Sequence, residues 1–216
     1  MTELTDLGFS KKIIGETIIS TYDDQRQPNA APMGVRMEDF EHLILWIYTS
    51  SLTYQNLETK RCAVVNVLSD PELFYLTALK ESKRNANLPQ EWFERAIIVD
   101  APRLRKADAH IEVTAKKIRS LDDERAEVIL QVKHINASKI LPRVYCRASF
   151  ATIEAIIHAT RIYFLMKQAK IGEKKQALNL IERVRECYDV VNRVAPNSRY
   201  SKIMKELLQI IDLAEN

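Results

Sequence analysis

The chain has 216 residues, 46% of them hydrophobic and 28% charged, a composition typical of a globular protein that excludes an intrinsically disordered one. No apolar run reaches the roughly 18 residues that a membrane helix needs, and the polar first residues do not resemble a signal peptide, so we expect a cytoplasmic protein without a membrane partner. The formal charge of +3 is small and is not gathered in a basic tract with interleaved aromatic residues, which argues against a nucleic-acid partner.

The first two thirds of the chain show the alternation and the apolar runs of β-strands. We predict strands over 13–21, 29–37, 42–49 and 61–68, and two longer strands over 107–120 and 126–135 that are joined by a hairpin connection at 121–124. A short helix should lie between the third and fourth strands. Asp70 and Pro71 predict the start of another helix, which runs through Leu79. The polar segment 80–90 is predicted to be a mobile surface loop.

After Ser149 the hydrophobic period becomes helical. Three apolar stripes predict three helices, and their members are Ile153, Ile156, Ile157, Thr160 and Phe164; Ala177, Ile181, Val184, Tyr188 and Val191; and Ile203, Leu207, Ile210 and Ala214. Gly172 is placed as the C-terminal glycine of the first helix. Strands followed by helices exclude an alternating α/β fold. We therefore predict an α+β chain, with an antiparallel β-barrel domain over 1–148 and a small helical bundle over 149–216.

Several kinds of site are not supported by the sequence. Three widely spaced cysteines and four histidines show no metal-ligand spacing, so no metal site is expected. The four glycines form neither a dinucleotide-binding fingerprint nor a phosphate-binding P-loop. Any phosphate must therefore be bound by side-chain hydroxyls and a helix start.

Two segments have the residue types for such binding. Ser50, Ser51 and Thr53 supply hydroxyl groups at a predicted helix start, and Asn56 follows on the same helix face, although residues of this kind often serve only as helix caps. The segment 29–35, NAAPMGV, combines small residues with a proline and a glycine, which exposes backbone to a flat ligand. A β-bulge or a barrel corner is the alternative explanation of this second segment.

Four motifs in this order resemble the flavin-reductase-like, FMN-binding split barrels. They are Asp23-Asp24, Asn29-Ala30-Ala31-Pro32, Thr53-Tyr54-Gln55-Asn56-Leu57 and Val64-Val65-Asn66-Val67. The stretches ETIISTYDDQRQPNAAPMGV and SFATIEAIIHATRI are similar to a mainly archaeal family of uncharacterised split-barrel proteins with a helical C-terminal domain. One departure is the acidic turn, which lacks the glycine usual in the family.

The resemblance implies a homodimer that binds FMN near the subunit interface. By the same resemblance, Thr49, Ser50, Ser51, Thr53 and Asn56 hold the phosphate and ribityl chain; Ala31, Pro32, Met33 and Gly34 lie along the isoalloxazine; and Asn66 hydrogen-bonds the ring or the ribityl chain. Lys60 and Arg61, or Lys139 and Arg143 of a second subunit, are the cations considered for the phosphate. His110 and His134 are considered as residues facing the flavin, and no catalytic residue is assigned.

Three functions stay open at this point. The leading one is an FMN-dependent oxidoreductase of unknown substrate, with NADH or NADPH as the electron donor. The second is a non-catalytic FMN binder or carrier. The third is a cofactor-free scaffold that binds a partner through its helical domain.

Overall fold

The structure, a computed structural model, describes residues 2–11, 14–79, 88–138, 147–167 and 171–215. The chain divides into two compact units. The first contains the described residues up to 68 together with 88–138, and the second contains 69–79 with the described residues from 147 onward. The helix that begins at Pro71 thus belongs to the helical unit, although it lies between barrel segments in the sequence.

The first unit is a barrel with one short helix. Its elements are β1 (Ile14–Tyr22), β2 (Pro28–Met37), β3 (His42–Tyr48), α1 (Leu52–Lys60), β4 (Cys62–Val67), β5 (Phe93–Arg95), β6 (Pro102–Leu104), β7 (Ala109–Ser120) and β8 (Arg125–Ala137). The strands β1, β2, β3, β8, β7 and β4 close the antiparallel barrel in that order, and β5 pairs with β6 in a separate sheet. The predicted six-stranded barrel is confirmed. The β5–β6 pair was not predicted, because strands of three residues are too short to show a period.

Alternation along the strands puts one set of apolar side chains inside the barrel. Val35, Leu45 and Val128 are fully buried there on three neighbouring strands, together with Val65 and Ile111 on two others. On each of these strands, the residues next to the inward-facing ones in sequence face outward. Strand alternation therefore separates the side chains of the core from those on the outer surface of the barrel.

A buried carboxylate fixes the loop that connects β5 to β6. Glu112 on β7 is fully buried, and its two oxygens accept the backbone N–H groups of Ile97, Ile98 and Val99 at 2.7, 2.6 and 3.0 Å. Three charge-assisted hydrogen bonds replace the water that the carboxylate loses on burial. The loop is therefore held to the barrel through its backbone, while the side chains of Ile97 and Ile98 remain exposed.

The second unit is helical, with α2 (Pro71–Ala78), α3 (Arg147–Lys167), α4 (Ile171–Val194) and α5 (Arg199–Glu215). Asp70 caps α2 by accepting the N–H of Glu72, and Pro71 occupies its first turn, as predicted. Tyr75 on α2 donates a hydrogen bond of 2.8 Å to Glu206 on α5, and burial raises the pKa of the Tyr75 hydroxyl. No helix in the described part of the chain is both long enough and apolar enough to cross a bilayer.

Two of the three predicted helical stripes are buried apart from two half-buried members, Tyr188 in α4 and Ile210 in α5. In α4 the stripe residues Ala177, Ile181, Val184 and Val191 are buried, and Ile203 and Leu207 are buried in α5, whereas the side chain of Ala214 lies outside the described residues. In α3 the predicted stripe is buried only at Ile156. Ile153, Ile157 and Thr160 are half-buried and Phe164 is exposed, because small residues such as Ala155 and Ala159 form the packed side instead.

Two other predictions concern chain segments rather than faces. Gly172 was expected to end a helix, but it lies in the first turn of α4, where an added Cβ would meet no atom within 4 Å. The C-terminal glycine assignment is therefore wrong. Most of the predicted surface loop at 80–90, namely 80–87, lies outside the described residues.

Candidate functional site

The ladder between β2 and β3 covers only part of the two strands. β2 pairs with β1 along its length, from Arg36 opposite Ile14 to Pro28 opposite Tyr22. With β3 it pairs only at Val35, Arg36 and Met37. Within the described residues, the other edge of 28–34 has no strand partner, while β3 pairs with β8 from His42 to Tyr48. We call the region between this half-edge of β2 and residues 46–48 of β3 the cleft.

The small-residue segment NAAPMGV forms one wall of the cleft. Ala31, Pro32, Met33 and Gly34 are all half-buried on the unpaired half-edge. Pro32 has no N–H to offer to a ladder, which is consistent with its place at an edge. A Cβ added at Gly34 would lie 2.7 Å from Cγ2 of Ile14, so a side chain at this position would have to displace its neighbour.

The hydroxyl-rich segment follows β3 at the end of the cleft. Ser51 is the N-cap of α1, and its Oγ accepts the N–H of Tyr54 at 3.2 Å. Thr49 Oγ1 donates to the carbonyl oxygen of Glu124 at 3.1 Å, and the side chain of Ser50 is exposed. Within the described residues, no acceptor is bonded to the backbone N–H groups of Leu52 and Thr53. Free N–H groups and the helix dipole make this helix start attractive to an anion.

Thr53 and Asn56 are both buried behind the start of α1. Asn56 Nδ2 donates to Thr21 Oγ1 at 2.9 Å, and Asn29 Nδ2 donates to Thr53 Oγ1 at 2.9 Å. These bonds connect the helix to β1 and β2. Their geometry does not support direct phosphate contact by these two side chains, and we assign them instead the role of holding α1 against the cleft.

Asn66, for which the resemblance implied a contact with the flavin, lies inside the barrel wall. Its side chain is fully buried in β4, where Nδ2 donates to the carbonyl of Ile18 at 2.8 Å and to Ser20 Oγ at 2.9 Å. Its Oδ1 accepts the backbone N–H of Leu104 at 2.8 Å. Both amide hydrogens are used inside the barrel, so Asn66 stabilises the fold and has no hydrogen left for a ligand.

The acidic turn keeps a tight shape without a glycine. Asp23 Oδ1 accepts the N–H groups of Gln25 and Gln27, both at 2.8 Å. Arg26 adopts a left-handed φ of 60°, which favours glycine in most turns. The Arg26 guanidinium forms an ion pair with Asp100 at 2.8 Å and lies 5.1 Å from the ring centroid of Tyr22. These two contacts help to offset the cost of the left-handed backbone conformation.

The cations considered for a phosphate are not gathered at the start of α1. Lys60 is paired with Asp24 at 3.0 Å, and Arg61 ends α1 with a left-handed φ of 56°. Lys139 and Arg143 lie outside the described residues. Backbone N–H groups and hydroxyls are therefore the main anion-binding groups that this unit provides at the helix start.

His110, which sequence analysis considered as a flavin-facing residue, is a buried barrel residue. It is 8% exposed, and its Nε2 lies 2.8 Å from the carbonyl oxygen of Leu104, which requires the neutral ring to carry its proton on Nε2. Burial lowers the pKa of His110, with a smaller contribution from Arg103 in the same direction, and the bond to Leu104 opposes the shift. His134 is half-buried on β8.

We expect this histidine to make the barrel less stable in acid. The unfolded chain takes up a proton as the pH falls below about 6.5, whereas the folded chain resists protonation until its lowered pKa is reached, so the free energy of unfolding decreases over that interval. His110→Gln should flatten this part of the urea-unfolding profile measured from pH 7.5 to 5. The half-buried His134→Gln is the control, and an equal flattening in it would contradict the assignment.

A row of outward side chains, which was not predicted from the sequence, crosses four strands beside the cleft. Trp46 on β3 stands opposite Glu127 on β8, and its Nε1 donates to Glu127 Oε2 at 3.0 Å. Glu127 forms an ion pair with Arg119, which is opposite it on β7. The guanidinium of Arg36 on β2 lies 5.2 Å from the Trp46 ring centroid. A register is needed to see this row, because its members are far apart in the sequence.

Comparison with known proteins identifies the family. A family model described as "Protein of unknown function (DUF447) N-terminal domain" matches residues 15–139. The chain is also similar to the crystal structure of an FMN-bound protein from Methanosarcina mazei, with 25% identity, 95% of this chain and 98% of that chain covered, and a TM-score of 0.75.

Two flavoproteins share the fold at lower identity. Streptomyces globisporus NADH:FAD oxidoreductase in complex with NAD and FAD fragments is 13% identical, with 58% of this chain and 75% of that chain covered and a TM-score of 0.50. Flavoredoxin of Desulfovibrio vulgaris is 12% identical, with 58% and 70% covered and a TM-score of 0.50. The split barrel with a helical C-terminal region is thereby confirmed, and because the family model spans more than half of the chain, the protein belongs to the DUF447 N-terminal domain family.

Proposed function

We propose that this protein is an FMN-binding flavoprotein that uses the flavin for hydride or electron transfer. The observation that carries the proposal is the cleft between β2 and β3, which ends at the free N–H groups of α1. The similarity to an FMN-bound protein over 95% of this chain supports it.

The residues of the cleft fit the parts of FMN. Leu52 and Thr53 offer backbone N–H groups and Ser50 offers an exposed hydroxyl for the phosphate, while the Ser51 hydroxyl already donates to the carbonyl of Tyr48 and accepts the N–H of Tyr54. The half-edge from Ala31 to Gly34 offers a flat wall for the ring.

Bound FMN supplies an acceptor of hydride or of single electrons, and the protein binds, orients and tunes it. In this chain the buried bonds of Thr53 and Asn56 fix the direction of α1, and the closed barrel fixes both walls of the cleft. NADH or NADPH is the electron donor that we propose. No side chain is assigned to proton transfer.

We also propose that two copies of the chain form a homodimer around the cleft. Large apolar side chains border the cleft on its outer side, and their exposed fractions are 59% for Ile14, 55% for Trp46 and 45% for Leu52. Exposed apolar groups of this size are typical of a protein interface. The start of α1 has little positive charge for a phosphate, which a second subunit could supply.

The first test is FMN binding by the purified protein. We expect visible flavin absorption or, after FMN is added to the apoprotein, one FMN per subunit of a dimer by combined spectroscopy and sedimentation. FMN at 100 times its Kd should add about 2.7 kcal/mol to the free energy of unfolding. A colourless protein whose thermal stability does not respond to FMN would overturn the proposed function.

Electron transfer is tested on the loaded protein. Anaerobic stopped-flow mixing with NADH or NADPH should bleach the flavin at a saturable rate that exceeds the rate for free FMN. If FMN binds but neither nucleotide reduces it faster than free FMN, the protein is an FMN binder or carrier and the oxidoreductase proposal is wrong.

A further inference from the structure

The row Arg36, Trp46, Glu127 and Arg119 lies on the outside of the barrel wall. Val35, Leu45 and Val128 are fully buried in the core, so their sequence neighbours Arg36, Trp46 and Glu127 face outward. Arg119 faces the same way, because it is the cross-strand partner of Glu127. The row begins at β2, where the cleft opens.

The charges in this row do not cancel at the cleft end. Glu127 is 5% exposed, and its carboxylate is neutralised by the ion pair with Arg119 and by the indole N–H of Trp46. Arg36 forms no ion pair with a carboxylate among the described residues; its guanidinium lies over the Trp46 ring instead. The row therefore carries one net positive charge, and this charge is at Arg36.

Arg36 and the ring that it contacts lie next to residues that border the cleft. Arg36 is paired with Ile44, but its guanidinium reaches the ring of Trp46, two residues further along β3. If the β2–β3 ladder continued, Trp46 would stand opposite Gly34, which borders the cleft. The acidic side chain nearest to this point is Glu16, whose Oε1 would lie 3.7 Å from a Cβ at Gly34.

On the basis of the proposed function, we propose that Arg36, held on Trp46, is the residue that raises the reduction potential of the bound flavin. Hydride transfer delivers two electrons and one proton to the ring, which gains one negative charge. A cation beside the ring stabilises that charge more than it stabilises the neutral oxidised ring. Glu16 has the opposite effect. Arg36 thus acts as a positioning and tuning residue, with no proton transfer of its own.

The test is the midpoint potential of FMN-loaded variants, measured by stepwise dithionite reduction in equilibrium with a reference dye. Arg36→Gln should lower the equilibrium constant for reduction at least tenfold, which is about 30 mV for a two-electron couple. Arg36→Lys keeps the charge and should stay within about threefold of the wild type. Arg95→Gln removes an equal charge from exposed β5 and is the matched control.

Glu16→Gln is the second variant, and it should raise the same equilibrium constant. The tuning role is overturned if the midpoint potential of Arg36→Gln equals the wild-type value. It is also overturned if Arg36→Lys lowers the midpoint potential as much as Arg36→Gln does. FMN binding stands in both cases. If Arg36→Gln does not retain FMN, an unchanged potential in Glu16→Gln overturns it instead. Failure of the wild type to bind FMN is a separate result, because it removes the proposed function.

Discussion

The variant Leu52→Glu should bind FMN about 100-fold more weakly than the wild type. Leu52 is the first residue of α1 and is 45% exposed, so a carboxylate here lies beside the free N–H groups of the helix start. Repulsion of about 1.5 kcal/mol for each of the two phosphate charges gives about 3 kcal/mol. The same carboxylate favours the helix dipole, so folding should be preserved or slightly improved.

Two comparisons isolate the charge in this experiment. The glutamine of Leu52→Gln has nearly the same shape as the glutamate of Leu52→Glu but carries no charge. This variant should bind FMN within about threefold of the wild type. Riboflavin lacks the phosphate, so its Kd, measured by fluorescence quenching, should be equal in the two variants. An equal loss of riboflavin and FMN affinity, or no loss of either, would show that the phosphate lies elsewhere.

The variant Asn66→Ala should lose about 3 kcal/mol of free energy of unfolding. It leaves the N–H of Leu104 and the carbonyl of Ile18 without their buried partner, and each orphaned group costs about 1–3 kcal/mol. Urea unfolding followed by circular dichroism measures the loss. Asn136→Ala, at an exposed position near the end of β8, is the control and should change stability by less than about 0.5 kcal/mol.

The variant Asn66→Ala also distinguishes a structural role of Asn66 from a role in contacting FMN. If the amide contacted FMN, as the family resemblance implied, Asn66→Ala would weaken FMN binding even at temperatures where the protein stays folded. We expect the Kd for FMN to stay within about threefold, because the amide hydrogens of Asn66 are used inside the barrel.

The sequence predicted the barrel strands well because their periodic signal is local. Alternation and apolar runs located β1 to β4, β7 and β8 to within a few residues, and the N-cap of α2 was visible as Asp70 and Pro71. The registers of the strand pairs could not be predicted from the sequence. The row of Arg36, Trp46, Glu127 and Arg119 joins residues up to 91 positions apart, and only the cross-strand pairing brings them together.

Residue type alone could not separate ligand contacts from structural bonds. Thr53, Asn56 and Asn66 have the chemistry of phosphate and ribityl binding, and the same donors and acceptors also satisfy a buried backbone or side chain. Burial decides between the two, and burial depends on the fold. Ser50 is exposed and the N–H groups of Leu52 and Thr53 are unbonded within the described residues, so they stay candidates for the phosphate, whereas the Ser51 hydroxyl already donates to Tyr48 and accepts from Tyr54.

The half-edge of β2 has a consequence for solubility. An unpaired strand edge is a template on which another chain can add a strand, and long flat edges of this kind lead to aggregation. Here the half-buried half-edge contains Pro32, which cannot donate to an incoming strand, and Gly34, whose lack of a side chain disfavours extended pairing. The residues that leave room for a flat ligand therefore also disfavour the addition of a strand from another molecule at this edge.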